Sequence, residues 1–349
     1  MKRKMMGLRN LLRQPALSEI TISFLAILAA FALVAILLFL IGTDPLLAFQ
    51  QIIYGSVGDT YSIAETLGRT TPLLLLGLGT SIAFRSGVWN IGGEGQLYMG
   101  ALFAVFTGLY VSTPGPTTLL LAFLGSFVCG SAWAIIPGFL KARLEVNEII
   151  TTVLLNFVAI YFIGYMVRGP WRDPIGINPY TAIISASAQL SILVPGTRLH
   201  AGFLVAILTI PIVYLLFWKT IFGYRMRVVG ANPKAARYGG ISATRYIVIA
   251  MVLSGGLSGL AGMIEVSGVH HRLMEGISPG YGYLAIAVAI LGRLHPVGVC
   301  FAAIFFAALL NGVAAAHRLA GVPLGMVNVI IGLVMLFILA GEFLIRRRR

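Results

Sequence analysis

Ten apolar segments recur along this chain, and they constrain its fold more than any other feature. They cover residues 22–42, 70–84, 94–112, 118–140, 148–167, 201–218, 246–264, 281–292, 297–316 and 323–342. An α-helix needs about 20 residues to cross the hydrocarbon core of a bilayer. Most segments come close to this length, whereas 70–84 and 281–292 are short and border glycine-rich breaks. The sequence therefore predicts an all-α integral membrane protein with about ten transmembrane helices, some of them short or broken.

The composition excludes a soluble protein. Hydrophobic residues make up 58% of the 349 residues and charged residues only 10%, against about 25% charged residues in soluble domains. The segment 22–42 is 21 residues long and free of charge, which exceeds the roughly 7–15 residues of a signal-peptide core. We therefore interpret it as a retained span. Cys129 and Cys300 lie inside apolar segments and form no Cys-x-x-Cys pair, so they leave the redox compartment open.

The distribution of Lys and Arg predicts the orientation in the membrane. With ten spans both termini lie on one side, and the loops on that side hold 19 of the 25 basic residues, against six in the opposite loops. The positive-inside rule then assigns both termini to the cytoplasm. This predicts a cytoplasmic segment 1–21, a transmembrane domain 22–342 and a basic cytoplasmic tail 343–349. Within the domain, loop 219–245 is cytoplasmic and the proline-containing loop 168–200 is external.

The net charge of +14 does not indicate nucleic-acid binding. The cations cluster at the ends of apolar segments, and no basic surface interleaved with aromatic residues is present. Membrane lipid is the expected surrounding.

Two parts of the chain share an arrangement of spans. Residues 70–112 and residues 281–316 each contain a short, glycine-interrupted segment followed closely by a full one. Short or broken spans in corresponding positions of two halves indicate a translocation path. A single sequence leaves open whether the two parts are a true repeat.

The loop from Gly230 to Gly240 specifies a short helix. Asn232 is a suitable N-cap, Pro233 suits the first helical position, and Gly239 or Gly240 can end the helix. Between the cap and the terminator lie Lys234, Ala235, Ala236, Arg237 and Tyr238. A helix of this length is unstable alone. It is either an ordinary loop helix packed on its own chain or a docking element that transmits force from a soluble motor.

Polar residues also interrupt the apolar pattern near 84–96. Asn90, Glu94 and Gln96 follow Arg85 within a glycine-rich break. Ionisable groups near a bilayer default to functional hypotheses, and a break that enters the membrane needs partners for its backbone. We expect Asn90, Glu94 and Gln96 to line the translocation path, where they can hydrogen-bond a polar solute. The alternative is a structural ion pair between Arg85 and Glu94.

The start of segment 148–167 raises the same question. Asn147 and Glu148 belong either to the translocation path or to a helix cap. Thr152 and Asn156 are four residues apart on one helix face. They either join a neighbouring helix by hydrogen bonds or face a central cavity as solute ligands. We include all four residues in the predicted path.

Three strings carry a resemblance to a known family. Residues 84–96 together with 99–101, residues 145–156, and the Gly-Ala-Asn-Pro string at 230–233 resemble the permeases of ABC importers in the branched-chain amino acid and monosaccharide superfamily. The resemblance runs from about Pro72 to Gly312. It is nearest to the nucleoside-type subfamily served by a binding protein of the basic-membrane-lipoprotein type.

The resemblance implies the membrane-spanning permease subunit of an ATP-driven importer in a bacterial inner membrane, for a nucleoside-like or related small polar solute. It implies ATPase subunits that bind ATP and Mg, a second permease subunit, and an external solute-binding protein that is periplasmic or a lipoprotein. It also implies that the helix at 232–238 is the coupling helix, which inserts into a groove of the ATPase. The sequence leaves open the solute and whether the two permeases are copies of one chain.

Other functions fit the sequence less well. A proton-coupled secondary transporter using Glu94 or Glu265 is the main alternative, followed by a channel or a membrane-embedded enzyme. None of the five lysines follows a glycine, as a Walker motif requires, so we expect no ATPase or other catalytic site in this chain. His270 and His271 lie between Glu265 and Glu275 with a spacing that matches no zinc motif. We therefore expect no cofactor or metal in the chain itself.

One segment is rich in small residues. Ser254, Gly255, Gly256, Gly259 and Gly262 lie within a single predicted span. Small residues at such spacing allow helix backbones to approach closely inside a membrane. We expect this span to be a packing centre.

Overall fold

The computed structural model describes residues 15–111 and 116–347, and in these residues it contains thirteen α-helices and no strand longer than an isolated bridge. The outer ends of the predicted terminal segments, 1–14 and 348–349, lie outside the described residues. The chain divides into two compact units, with boundaries within the helices at 62/63 and 307/308.

The first unit comprises the two ends of the chain, up to residue 62 and from residue 308. Its helices are α1 (Pro15–Leu40), α2 (Pro45–Val57), the second half of α12 (Pro296–Leu319) and α13 (Leu324–Arg347). Helix α1 packs against α13. Helix α2 is joined to α12 because Ser56 Oγ donates to the Ala308 carbonyl at 2.7 Å and Asn311 Nδ2 donates to the Gly55 carbonyl at 2.8 Å. Helix α2 was not predicted.

The second unit, residues 63–307, contains most of the predicted functional residues. Its helices are α3 (Thr60–Arg85), α4 (Gly93–Tyr110), α5 (Thr117–Leu144), α6 (Glu148–Arg168), α7 (Gly202–Lys219), α8 (Ile221–Ala231), α9 (Pro233–Tyr238), α10 (Ala243–Glu265), α11 (Tyr281–Leu291) and the first half of α12. A π-helical turn, Val266–His270, extends α10. Helices α4, α5 and α10 form the centre of the unit.

Glycines bring the central helices into backbone contact. A Cβ atom on Gly259 would overlap the carbonyl of Ser126 on α5, and one on Gly100 would overlap the carbonyl of Gly259. A Cβ on Gly262 would overlap the carbonyl of Leu97 on α4. Hydrogen bonds reinforce the crossing, since Ser126 Oγ donates to the Gly100 carbonyl at 2.8 Å. The predicted packing role of the small residues on α10 is confirmed.

Seven helices in the described part are long and apolar enough to cross a membrane. They are α3, α5, α6, α7, α10 with its π turn, α12 and α13. The other three predicted spans are helical as well. Helices α1 and α11 contribute shorter apolar stretches, Phe24–Leu40 and Tyr281–Leu291, and α4 has 18 residues that are mostly buried inside the unit. The count of ten spans stays a prediction.

The predicted short span 70–84 is wrong at its start. Helix α3 begins at Thr60 and has 26 residues. The helix continues through the charged residues Glu65 and Arg69, which precede the predicted span. Hydroxyls of the same stretch are satisfied locally, for Thr70 Oγ1 donates to the Thr66 carbonyl at 2.8 Å. Residues 281–292 do contain a short helix of 11 residues, Tyr281–Leu291; that it is a membrane span stays a prediction.

The two long loops lie at opposite ends of the second unit. At one end, loop 169–200 covers the carboxyl ends of α4 and α10, where Ser185 N donates to the Gly108 carbonyl and Leu190 N donates to the Ser267 carbonyl. Apart from one 3₁₀ turn, Ala186–Ala188, and two isolated bridges, this loop is irregular, as predicted. The other end carries α8 and α9. Helix α8 was not predicted within loop 219–245.

Candidate functional site

The break between α3 and α4 is a non-helical segment, residues 86–92, held inside the second unit. Ser86, Val88 and Asn90 are at most 2% exposed. A buried backbone without helical hydrogen bonds needs other partners, especially within a membrane protein. The polar residues singled out in the sequence supply many of these hydrogen-bond partners.

Asn156 and Thr152 on α6 bind the break directly. The Asn156 side chain accepts from Gly95 N at 2.8 Å and donates to the Ile91 carbonyl at 2.9 Å. Thr152 Oγ1 accepts from Ile91 N at 3.3 Å and donates to the Glu148 carbonyl at 2.6 Å. Both side chains are fully buried. In this structure they join α6 to the break, which is the first of the two roles that their spacing allowed.

Asn90 and Gln96 form a reciprocal amide pair. Each side chain donates to the other at 3.0 Å. Asn90 Nδ2 also donates to Ser254 Oγ on α10 at 2.8 Å, and Asn90 Oδ1 accepts from Gly92 N at 2.9 Å. The pair therefore links the break to the first turn of α4 and to the central helix α10. Sequence reasoning had assigned Ser254 only a packing role.

Glu94 lies where the amino ends of two helices meet. It belongs to the first turn of α4, and its Oε2 accepts from Gly282 N in the first turn of α11 at 2.7 Å. A carboxylate suits this position because the backbone dipoles at a helix amino end favour negative charge. The side chain is 2% exposed. No sequence pattern had paired Glu94 with Gly282, which is 188 residues away.

The predicted alternative of an Arg85–Glu94 ion pair is wrong. Arg85 Nε donates to the Leu294 carbonyl at 2.7 Å, and its guanidinium lies 4.8 Å from the centre of the Trp218 ring. Arg85 thus ties the carboxyl end of α3 to α7 and to the turn after α11. The break at residues 86–92 separates Arg85, the last residue of α3, from Glu94 in the first turn of α4.

Asn147 and Glu148 open α6. Asn147 is exposed and acts as the N-cap, with Oδ1 accepting from Ile149 N at 2.9 Å. Glu148 is buried and pairs with Lys141 at 2.8 Å, and its Oε1 accepts from Trp89 N at 3.4 Å. The helix-cap interpretation is therefore confirmed for Asn147. Of the seven predicted path residues, all but Asn147 are buried among partners in the same chain.

Helix α9 has the local structure that the sequence predicted. Asn232 Oδ1 accepts from Lys234 N at 3.0 Å and from Ala235 N at 3.1 Å, and Pro233 is the first helical residue. Gly240, at φ +73°, has the left-handed conformation that ends the helix. A residue with a side chain would adopt this conformation only with backbone strain. Gly239 remains at negative φ.

The two faces of α9 differ. Ala236 is fully buried against the unit and is not part of the exposed face. Ala235 is exposed, and Tyr238 is 95% exposed. Lys234 and Arg237 are exposed as well. The outward face therefore combines two cations with a free aromatic ring.

Helix α8 connects α9 to the break. Asn232 N donates to the Val228 carbonyl at 3.0 Å, so α9 begins directly where α8 ends. Gly230 lies against the backbone of Arg85 and Ser86, since a Cβ on Gly230 would overlap the Arg85 carbonyl. Gly87, at φ +78°, lies on the other side of the same contact. The exposed helix and the buried polar network are thus joined by one backbone contact.

Comparison with known proteins places the whole arrangement in a family context. Residues 62–339 match the family model described as branched-chain amino acid transport system / permease component. None of the solved structures matches the chain.

Several curated relatives are similar over nearly their whole length. The glucose ABC transporter permease protein TsgB13 of Haloferax volcanii is 37% identical over 93% of this chain and 88% of its own. The guanosine ABC transporter permease protein NupP of Bacillus subtilis is 33% identical over 95% of each chain. The nucleoside ABC transporter permease protein NupB of Lactococcus lactis is 32% identical over 94% of this chain and 92% of its own.

Proposed function

Because this chain belongs to the family of branched-chain amino acid-type ABC transporter permeases, we propose that it forms the path of a polyhydroxylated solute, a nucleoside in the first instance, across a bacterial inner membrane. It is a multi-pass, non-catalytic subunit of an importer for a small polar solute. The observation that carries the proposal is α9, an exposed and capped helix in a chain that matches the family over residues 62–339.

The solute class follows from chemistry that the relatives' substrates share. Two relatives are named for guanosine or nucleosides, and another is named for glucose. The ribose of a nucleoside and the ring of glucose both carry neighbouring hydroxyl groups. A permease that serves such solutes needs donors and acceptors for hydroxyls rather than a site for one base.

The complete importer, in this proposal, contains two ATPase subunits that bind ATP and Mg, a second permease and an external solute-binding protein. The outward face of α9 is the docking element for the ATPase. Lys234 and Arg237 on this face can pair with acidic groups on the partner. The exposed Tyr238 ring can become buried in the interface, as aromatic anchor residues commonly do. The network around Asn90, Glu94, Gln96, Glu148, Thr152 and Asn156 forms the wall of the path by holding the break in position.

Reconstitution tests the function. We expect the chain, together with the second permease, the ATPase and the binding protein in liposomes, to accumulate radiolabelled guanosine or D-glucose only when ATP is supplied. Uptake should fall to background without ATP and should be unaffected by a protonophore, because ATP hydrolysis is the energy source. Uptake that needs a proton gradient and no ATPase would instead support a secondary transporter.

Cysteine labelling tests the orientation. Variants Ser185→Cys and Lys234→Cys place single thiols in exposed positions at opposite ends of the second unit, once Cys129 and Cys300 are replaced by Ala. In intact cells we expect a membrane-impermeant maleimide to label position 185 and to label position 234 only after permeabilisation, because the basic loops are cytoplasmic. Labelling of position 234 alone in intact cells would show that the topology is the reverse of the predicted one.

A further inference from the structure

A polar cavity opens in the second unit at the end that carries loop 169–200. Its volume is about 240 Å³. Side chains from α3, the loop, α10, the π turn and α11 converge on it: Glu65, Arg69, Arg198, Glu265, His270 and Tyr281. It is separate from the polar network around the break, and it holds residues that no family motif in the sequence had singled out.

The two carboxylate side chains of this cavity are at most 13% exposed, and among the described residues neither has an ion-pair contact shorter than 3.5 Å. The Glu265 side chain is 6% exposed, and its Oε2 lies 3.5 Å from His270 Nε2. The Glu65 side chain is 13% exposed, its Oε1 is 3.8 Å from Arg198 Nε, and that oxygen has no hydrogen-bond partner among the described residues. Charge-assisted hydrogen bonds normally measure about 2.7–2.9 Å. Buried carboxylate oxygens ordinarily have donors, so Glu65 Oε1 is an acceptor that the described residues leave unfilled.

The charges around the cavity favour a neutral ligand. Two carboxylates face two guanidinium groups, so an anionic or cationic solute would meet repulsion from one pair. A hydroxyl group is both donor and acceptor. It can donate to a carboxylate and accept from an arginine at the same time, and neighbouring hydroxyls can repeat the pattern.

The volume of the cavity indicates that it holds one small chemical group of a solute. Such a space suits a single hydroxylated ring and is small beside the roughly 300–1,000 Å³ of pockets for drug-sized ligands. A nucleoside would place its ribose there and leave its base outside.

We propose that this cavity is a subsite of the permease for the polyhydroxyl ring of the solute, with Glu65 and Glu265 accepting from neighbouring hydroxyls and Arg69 and Arg198 donating to them. The inference rests on the proposed function, because it assigns a place within this chain to the solute class inferred there. In the proposed orientation the cavity opens on the side of the external binding protein, where the solute is released.

Direct binding tests the subsite. The permease–ATPase complex is placed in lipid nanodiscs without binding protein, and binding of tritiated D-glucose and of tritiated guanosine is measured by scintillation proximity. We expect saturable binding of at least one probe to the wild type. Glu65→Gln and Glu265→Gln should each weaken it at least about tenfold, since each removes a charged acceptor. Binding of glucose would identify the ring as a hexose, and binding of guanosine would identify it as a ribose.

Glu275→Gln is the matched control. Glu275 lies on the connection between α10 and α11. It pairs with Arg168 at 2.7 Å and does not line the cavity. Binding to this variant should equal that of the wild type. Thermal unfolding of every variant in the same nanodiscs separates lost binding from lost folding.

Two results would overturn the subsite. One is a wild-type complex that transports guanosine or glucose with its binding protein but binds neither probe alone. The other is unchanged binding in folded Glu65→Gln and Glu265→Gln variants. Failure of the wild type to transport either solute is a different result, since it removes the proposed solute class and the subsite with it.

Discussion

Ala235→Asp is expected to abolish co-purification of the ATPase while leaving the permease folded in the membrane. Ala235 lies on the exposed face of α9, where a docked subunit would cover it. Burying an unpaired charge in a contact costs several kcal/mol, and every 1.4 kcal/mol weakens binding about tenfold. We expect association to weaken by about a hundredfold or more, measured by ATPase recovery on an affinity-tagged permease and by solute-stimulated ATP hydrolysis.

Ala186→Asp is the matched control for this substitution. It introduces the same charge at an exposed alanine at the opposite end of the second unit, so ATPase recovery should be unchanged. Ala236→Asp is unsuitable as a test because Ala236 is buried against its own chain, and its failure would report misfolding. Full assembly and coupled hydrolysis in Ala235→Asp would show that α9 is an ordinary loop helix.

Asn156→Leu is expected to destabilise the protein strongly. The substitution removes the partner of the buried Gly95 N–H and of the partly buried Ile91 carbonyl. Each unsatisfied group costs about 1–3 kcal/mol, so the loss is about 2–6 kcal/mol of a total stability of about 5–15 kcal/mol. Denaturant titration in detergent measures it, and uptake should fall in proportion to the folded fraction.

Leu154→Ala on the same helix provides the comparison. The Leu154 side chain is 58% exposed, so little packing is lost and the unfolding midpoint should barely move. If Asn156→Leu unfolds like the wild type yet fails to transport, the side chain is a solute ligand rather than a support of the break.

Local signals predicted local structure well. The Asn232–Pro233 pair fixed the start of α9, because capping and the proline at the first position act within a few residues. The same kind of signal stands at Asp44–Pro45, where Asp44 Oδ1 accepts from Leu46 N at 2.8 Å and begins α2. That helix could have been found from the sequence by applying the same rule.

Contacts between distant parts of the chain were beyond local patterns. Arg85 and Glu94 are nine residues apart, which suggested an ion pair, but a non-helical segment sets no fixed distance between its ends. Their actual partners, Leu294 and Gly282, follow from how α11 packs against α3 and α4. The polar residues of the break were recognised as important, whereas their role as supports of the backbone required the fold.

The backbone contact at Gly230 makes the link between α9 and the break stiff. Side chains between two helices can change rotamer and absorb a small displacement, whereas two backbones in contact have no such compliance. Gly230 meets Arg85 and Ser86 without an intervening side chain. A displacement of α8 at Gly230 therefore has to displace the backbone of Arg85 and Ser86 as well. Even a single added methyl group at position 230 would overlap the Arg85 carbonyl and force the two backbone segments apart.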